Sequence, residues 1–304
     1  MKRSWAEDDN FADKALFSLI KMLGFLVRSI SRKNSTTIAR FLGDFVYTIP
    51  KTRRKLVEDN LALTFPEKSP SEISAIARQV YRTQAENMIE VLRLPNIKTP
   101  QDAAKLLEVD GRAVLAKTLD QKKGGVLVSA HFGNWELLAY GSGIQTVPVN
   151  IIVKQIKNSA IDRQINAWRT MRGNKVIYDF KALRDGLRAL KNGELLTVLG
   201  DQSDASGTFF TEFLGRSTTV FLGPAYLALK AGVPLFVIMC CPRGNGRYAV
   251  EIEEIDMTGL GTTKADAEEL ARRYTKSIER FIYKYPEEWL WLHNRWKRTE
   301  PLSE

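Results

Sequence analysis

The 304 residues suffice for one large domain, or for a domain with a helical addition, and readily support a core of that size. With 45 Lys and Arg against 35 Asp and Glu, the net charge of +10 points to an anionic partner: a membrane surface, a phosphorylated substrate, an acidic carrier protein or nucleic acid. No zinc-finger spacing or RNA-binding aromatic signature accompanies that charge, so no nucleic acid is expected, and two histidines exclude a histidine-rich metal site. No metal and no cofactor is expected, and the adjacent Cys240 and Cys241, poorly placed for a mutual bridge, fit a reducing compartment.

The first ten residues, MKRSWAEDDN, mix basic and acidic groups and lack the n-region and cleavage site of a secretory signal. From Lys14 to Arg28 the chain turns apolar, while Lys14, Lys21 and Arg28 recur at every seventh position. A bilayer span needs ~20 apolar residues, so this run is too short and too charged to be one. It reads as an interfacial helix in which Leu16, Phe17, Leu19, Ile20, Leu23, Phe25, Leu26 and Val27 face lipid or protein. The same pattern serves a helix packed on its own domain.

Residues 36–94 read as helical, with Ser71 and Glu72 opening a helix that runs through Ile73, Ile76, Val80 and Met88. The basic cluster Lys51-Thr52-Arg53-Arg54-Lys55 suits either a solvated face or contact with anionic headgroups. Pro95 and Pro100 bracket a linker that separates a helical region, residues 1–100, from an α/β domain, residues 101–304. Within the latter, strands are expected at 126–130, 149–153, 175–178, 195–199, 234–241 and 247–253, and helices at 134–145, 159–171, 181–191, 223–231 and 265–284. That alternation predicts an α/β fold with a mainly parallel central sheet covered by helices on both faces.

The stretch Gly125 to Leu137 is the most informative. An apolar strand, Val126 to Val128, gives way to small residues, then to His131, Gly133 and Asn134 before a new helix. Ligands of open α/β sheets gather outside the carboxyl ends of the strands, which makes His131 a candidate for chemistry. Five residues along one helix would rotate His131 and Glu136 about 140° apart. With His131 before the helix and Glu136 in its first turn, the chain can fold back so that the carboxylate fixes the imidazole tautomer and the other ring nitrogen accepts a hydroxyl proton. Taken alone, the spacing equally describes a capping histidine and an acid that complements the helix dipole.

The wording His131-Phe132-Gly133-Asn134-Trp135-Glu136 resembles the HxxxxD/E motif of glycerolipid acyltransferases, in the form used by the lipid A biosynthesis (lauroyl/myristoyl) acyltransferase family. Four further segments resemble that family in order. They are Asn60-Leu61-Ala62-Leu63-Thr64-Phe65-Pro66-Glu67, Gly200-Asp201-Gln202, Phe213-Leu214-Gly215 with Gly223-Pro224-Ala225, and the closing run Pro286 to Lys297. Leu214 stands where the family usually has Phe.

The resemblance implies a glycerolipid acyltransferase-like fold and a membrane-associated acyltransferase. Its donor would be acyl carrier protein or acyl-coenzyme A, its acceptor a hydroxyl of a lipid A precursor. It would sit at the cytoplasmic face of the inner membrane, peripherally or with a weak N-terminal anchor. The same chemistry on another glycolipid or on a phospholipid, such as a phosphatidylinositol mannoside or an aminolipid, a thioesterase, and a non-catalytic membrane-binding homologue are the alternatives.

In this light His131 is the base and Glu136 its orienting partner, and the backbone amides near Gly133 and Asn134 are donors for an oxyanion or phosphate, although Asn134 also suits an N-cap. Arg169, four residues before Gly173, offers a guanidinium fork for phosphate or oxyanion, with Arg163 and Arg172 as neighbours. Asp201 and Gln202 follow a strand, where Asp201 could hold Arg169, position an acceptor sugar or form a turn. Phe209, Phe210, Phe213 and Leu214 suit either an acyl groove or core, and Trp289, Trp291 and Trp296 either an interfacial belt or packing against the sheet.

Overall fold

The computed structural model describes residues 11–49, 53–109, 112–203 and 209–298; the first ten residues, and Lys51 and Thr52 of the basic cluster, lie outside them. Apolar residues at helical spacing fold the first part into α1 (Phe11–Ser29), α2 (Arg32–Thr48), α3 (Arg54–Thr64) and α4 (Pro70–Arg93). α4 begins earlier than Ser71, because Ser69 and Glu72 form a reciprocal capping box with Pro70 in the first turn.

The α/β part then runs α5 (Pro100–Ala104), β1 (Leu107–Val109), α6 (Arg112–Asp120), β2 (Gly125–Ser129), α7 (Trp135–Gln145), β3 (Val149–Val153), α8 (Ser159–Thr170) and β4 (Lys175–Tyr178). It continues α9 (Ala182–Lys191), β5 (Leu195–Leu199), β6 (Phe210–Phe213), β7 (Arg216–Thr219), α10 (Gly223–Ala231), β8 (Leu235–Gly244), β9 (Arg247–Glu254) and α11 (Lys264–Lys284). Seven strands form one sheet in the order β1-β9-β8-β2-β5-β3-β4, parallel at every pairing except β8 with β9, while β6 and β7 make a separate hairpin. The α/β fold with a mainly parallel sheet is as the sequence predicts. β1, α6 and the β6–β7 hairpin are additions to it.

Period-two alternation divides the sheet between two cores. Val126 and Val128, Leu196 and Val198, and Leu235, Val237 and Met239 pack with α9, α10 and α11. Leu127, Leu195, Ile151, Phe236 and Ile238 pack with α7 on the opposite face. Cys240 and Cys241 are buried free thiols in different cores, which rules out a bridge between them.

Val57, Leu61, Val80 and Tyr81 of the N-terminal helices join the first core, so the helical region and the sheet share one apolar interior. Leu16, Leu19, Leu23, Phe25 and Leu26 of α1 are exposed, and so are Phe41 and Phe45 of α2. Among the described residues no helix is long and apolar enough to cross a membrane.

The C-terminal segment closes the first core. Trp289 and Trp291 are buried with ring centroids 4.7 Å apart, which makes them packing residues and overturns the belt alternative for this pair. Buried Arg295 donates to Thr218 Oγ1 at 2.9 Å and the Thr219 carbonyl at 2.7 Å, tying the segment to the hairpin. Phe209, Phe213 and Leu214 are core residues as well.

The loop after β2 is stitched to this segment: the Gly133 N–H donates to the Glu288 carbonyl at 3.0 Å, and the Leu290 N–H to the His131 carbonyl at 3.0 Å. Gly133 has φ +55, and a Cβ there would lie 1.9 Å from the Cys240 carbonyl oxygen. Gly133→Ala therefore forces both a left-handed alanine and a backbone displacement. It is expected to cost about 3 kcal/mol or more in denaturant unfolding, against about 1 kcal/mol for a glycine replaced where space is open.

Candidate active site

β2 and β5 are parallel neighbours with Ser129 opposite Leu199, so the residues two places beyond each strand end, His131 and Asp201, meet at the carboxyl edge of the sheet. His131 Nδ1 lies 2.9 Å from Asp201 Oδ1. The other carboxylate oxygen, Oδ2, accepts the His131 backbone N–H at 3.0 Å and the Trp289 indole N–H at 2.8 Å. Burial alone would raise the pKa of Asp201, but the charge and hydrogen bond of His131, together with the other two donors, hold it at about 2.

An ionised carboxylate only accepts, so Nδ1 carries the proton and Nε2 is left with a lone pair. Burial disfavours the imidazolium, yet Asp201, with a smaller contribution from Glu136, outweighs burial and raises the His131 pKa above its ordinary value. Trp135 packs against the imidazole at 5.3 Å, and the Gln202 amide nitrogen lies 3.4 Å from Nε2.

Glu136 does not orient His131. Its carboxylate points from the first turn of α7 to α8, where Arg169 Nε donates to Oε2 at 2.9 Å and Nη2 to Oε1. Arg169 Nη1 donates to Asn166 Oδ1 at 3.2 Å, so its fork is occupied by Glu136 and not by Asp201. The physical reason is register: Asp201 emerges from the strand beside β2, directly opposite His131, whereas Glu136 is carried away by the helix it begins.

The donors expected near Gly133 and Asn134 are also rearranged. The Gly133 N–H is taken by Glu288, and Asn134 caps α7, its Oδ1 accepting the Leu137 N–H at 2.9 Å. Asn87 reaches from α4 to donate to the Gly133 carbonyl at 2.7 Å. The amides of Trp135 and Glu136, first in α7, are those for which a helix supplies no acceptor of its own. Arg172 donates to Tyr140 Oη at 3.0 Å, and Arg163 bonds to Ser159 at the start of its own helix, so neither competes with Arg169.

His131, Glu136, Arg169 and Gln202 line a cavity of about 520 Å³ whose walls are mainly apolar, including Leu138, Ala139, Ile151, Val153 and Leu199. Phe209, Phe210, Phe213 and Leu214 are not among its lining residues, which removes them as the groove. Lys154 and Thr197 line it and were not singled out from sequence; the Thr197 hydroxyl is buried with no hydrogen-bond partner among the described residues. Trp289 was noted only as an aromatic, because nothing in the local sequence ties an indole to a carboxylate 88 residues away. Among the described residues no group of three His, Cys, Asp or Glu could hold a metal ion.

The model of a family described as bacterial lipid A biosynthesis acyltransferase matches residues 10–298. The chain is 29% identical over 264 residues to the lipid A biosynthesis lauroyltransferase of Escherichia coli K12, covering 86% of this chain and 84% of that one. It is 26% identical over 257 residues to the lipid A biosynthesis palmitoleoyltransferase of the same organism, covering 84% and 81%. A phosphatidylinositol mannoside acyltransferase of Mycolicibacterium smegmatis is 24% identical over 239 residues, covering 75% of each chain.

The Glu136–Arg169 pair is mostly shielded from water, so removing one partner strands the other. Glu136→Ala is expected to lower unfolding free energy by roughly 3 kcal/mol, and Glu136→Met with Arg169→Met by less, as read from denaturant midpoints. Equal losses would mean that the pair is not the unit.

Proposed function

The chain belongs to the bacterial lipid A biosynthesis acyltransferase family, and on that premise we propose that it moves a fatty acyl group from an acyl thioester to a hydroxyl of a lipid A precursor. It is an acyltransferase, with an acyl donor and a lipid acceptor. Acyl carrier protein or coenzyme A is the donor in this reading, and the net charge of +10 suits either that acidic carrier or a phosphorylated glycolipid. The exposed apolar faces of α1 and α2 hold the protein to the cytoplasmic face of the inner membrane without crossing it.

The observation that carries the chemistry is the His131–Asp201 pair in the wall of an apolar cavity. His131 Nε2 takes the proton of the acceptor hydroxyl as its oxygen attacks the thioester carbonyl. Negative charge on the carbonyl oxygen is met by the Trp135 and Glu136 amides and by Gln202. The C–S bond then breaks, and the departing thiolate takes the proton from His131. Arg169, held by Glu136, supplies positive charge at the cavity without being spent on catalysis as an acid or base.

A general base must be neutral to act, so kcat/KM is expected to rise with pH through a value above 6.5, the ordinary imidazole value. Asp201→Asn removes the charge that raises that pKa: the rising limb moves to lower pH, while the plateau falls about 10²- to 10⁴-fold. His131→Ala falls at least as far at every pH. An unchanged plateau in either variant contradicts the assignment.

Acyl transfer from labelled acyl carrier protein or acyl-coenzyme A to a tetra-acylated lipid A precursor tests the acceptor, with a phosphatidylinositol mannoside alongside. Transfer to the mannoside alone would replace the acceptor, and release of free fatty acid independent of any acceptor would mark a thioesterase. Ala139 lines the cavity, so Ala139→Leu is expected to lower kcat/KM for a long-chain donor about tenfold more than for a short-chain one. Equal loss for both would place the acyl chain elsewhere.

A further inference from the structure

β3 and β4 are parallel neighbours with Val153 opposite Tyr178, so the segments that leave them emerge side by side at the edge that carries the cavity. From β3 comes the run Lys154 to Asn158; from β4 comes the turn Asp179–Lys181 leading into α9. Asp179 and Ala182 line the cavity. The residues between and after them do the opposite: Phe180 is 68% exposed and Leu183 is 63% exposed.

Phe180 is held in that position. Its ring stacks on Tyr178 with centroids 5.7 Å apart and planes 9° from parallel, and Tyr178 is fixed by a 2.6 Å hydrogen bond to Asp162. A stacked aromatic and a leucine, both presented to water next to cavity-lining Asp179 and Ala182, are apolar surface that folding does not explain.

The surrounding charge is positive. Lys154, Lys157 and Lys181 are exposed and enter no ion pair with described residues, while Asp185 is paired with Arg184 and Arg188, and Asp179 turns back on the Phe180 amide at 2.8 Å. The same edge is continuous with α1, because Asn158 donates to Asp13 at 2.7 Å. α1 carries exposed Phe11, Leu16 and Leu19.

We propose that the turn between β4 and α9 is a second lipid-contacting element, in which Phe180 and Leu183 enter an anionic membrane while Lys154, Lys157 and Lys181 meet its headgroups. The cavity mouth then lies at the lipid surface, with α1 joined to it on the β3 side and the Phe180 turn beside it on the β4 side. Amphipathic surfaces of this kind combine buried apolar area with attraction to anionic lipid, and both contributions are present here. The inference rests on the reading of the protein as an acyltransferase with a lipid acceptor.

The test is co-sedimentation of the full chain with vesicles of phosphatidylcholine alone or of phosphatidylcholine and phosphatidylglycerol, beside acyl transfer to an acceptor dispersed in detergent. Phe180→Ser with Leu183→Ser is expected to lower partitioning onto the mixed vesicles about tenfold or more, from lost apolar burial, with thermal unfolding and detergent activity unchanged. Wild type should prefer the mixed vesicles, and Lys154→Gln with Lys181→Gln should weaken that preference. A doubly substituted Phe180/Leu183 protein that binds like wild type while transferring normally overturns the second contact and leaves the enzymatic reading intact. Wild type that binds both vesicles equally overturns the headgroup contact; wild type that transfers no acyl group in detergent overturns the functional reading instead.

Discussion

The carboxylate of Asp201 is the interaction on which the site depends. Burying an ion is expensive, and this one is offset by three donors from two distant parts of the chain: the imidazole and backbone N–H of His131 and the indole of Trp289. The same group therefore fixes the tautomer of the base, locks the loop after β2 and anchors the C-terminal segment against the sheet. Gly133 serves the second of these tasks, since only a residue without a Cβ lets the loop approach the Cys240 carbonyl. Chemistry and packing are coupled because they share one carboxylate.

Around that centre the charges are sorted into two pairs. His131 with Asp201 lies between neighbouring strands, and Glu136 with Arg169 joins two helices at the rim of the same cavity. The second pair keeps a guanidinium charged and oriented in a mostly apolar wall, where an unpaired cation would be costly. It also adds a little negative potential at His131, in balance with the opposing effect of Arg169. The acid five residues from the histidine thus works through the arginine.

The sheet was legible because its strands are short apolar runs bounded by turn residues, and helices α7 to α11 fall within one residue of where periodicity places them. His131 and Asp201 were both legible as residues at the carboxyl edge, but their contact was not. It depends on β5 lying beside β2, a register decided by the 65 residues between them and invisible in local spacing, whereas Glu136 looks closer in sequence. The β6–β7 hairpin was hidden for a local reason: its turn places Leu214 at φ 48 and Gly215 at φ 76, and a leucine in the left-handed region carries none of the usual Asn-Gly signal. The apolar stripe of α1 was legible as a face, but the exposed Phe180 was not, since one aromatic after a strand has no periodicity to betray it.

Asp201 holds His131 as an Nδ1-protonated imidazole with a raised pKa, and with only two histidines in the chain both can be followed directly. Nitrogen-15 NMR of the imidazoles across pH, with His293→Asn to assign the second, reads tautomer and pKa together. His131 should show the Nδ1–H tautomer and titrate above the ordinary value of about 6.5, while His293, which burial pushes down, titrates below it. An Nε2–H tautomer at His131, or a titration below that value, would contradict the account.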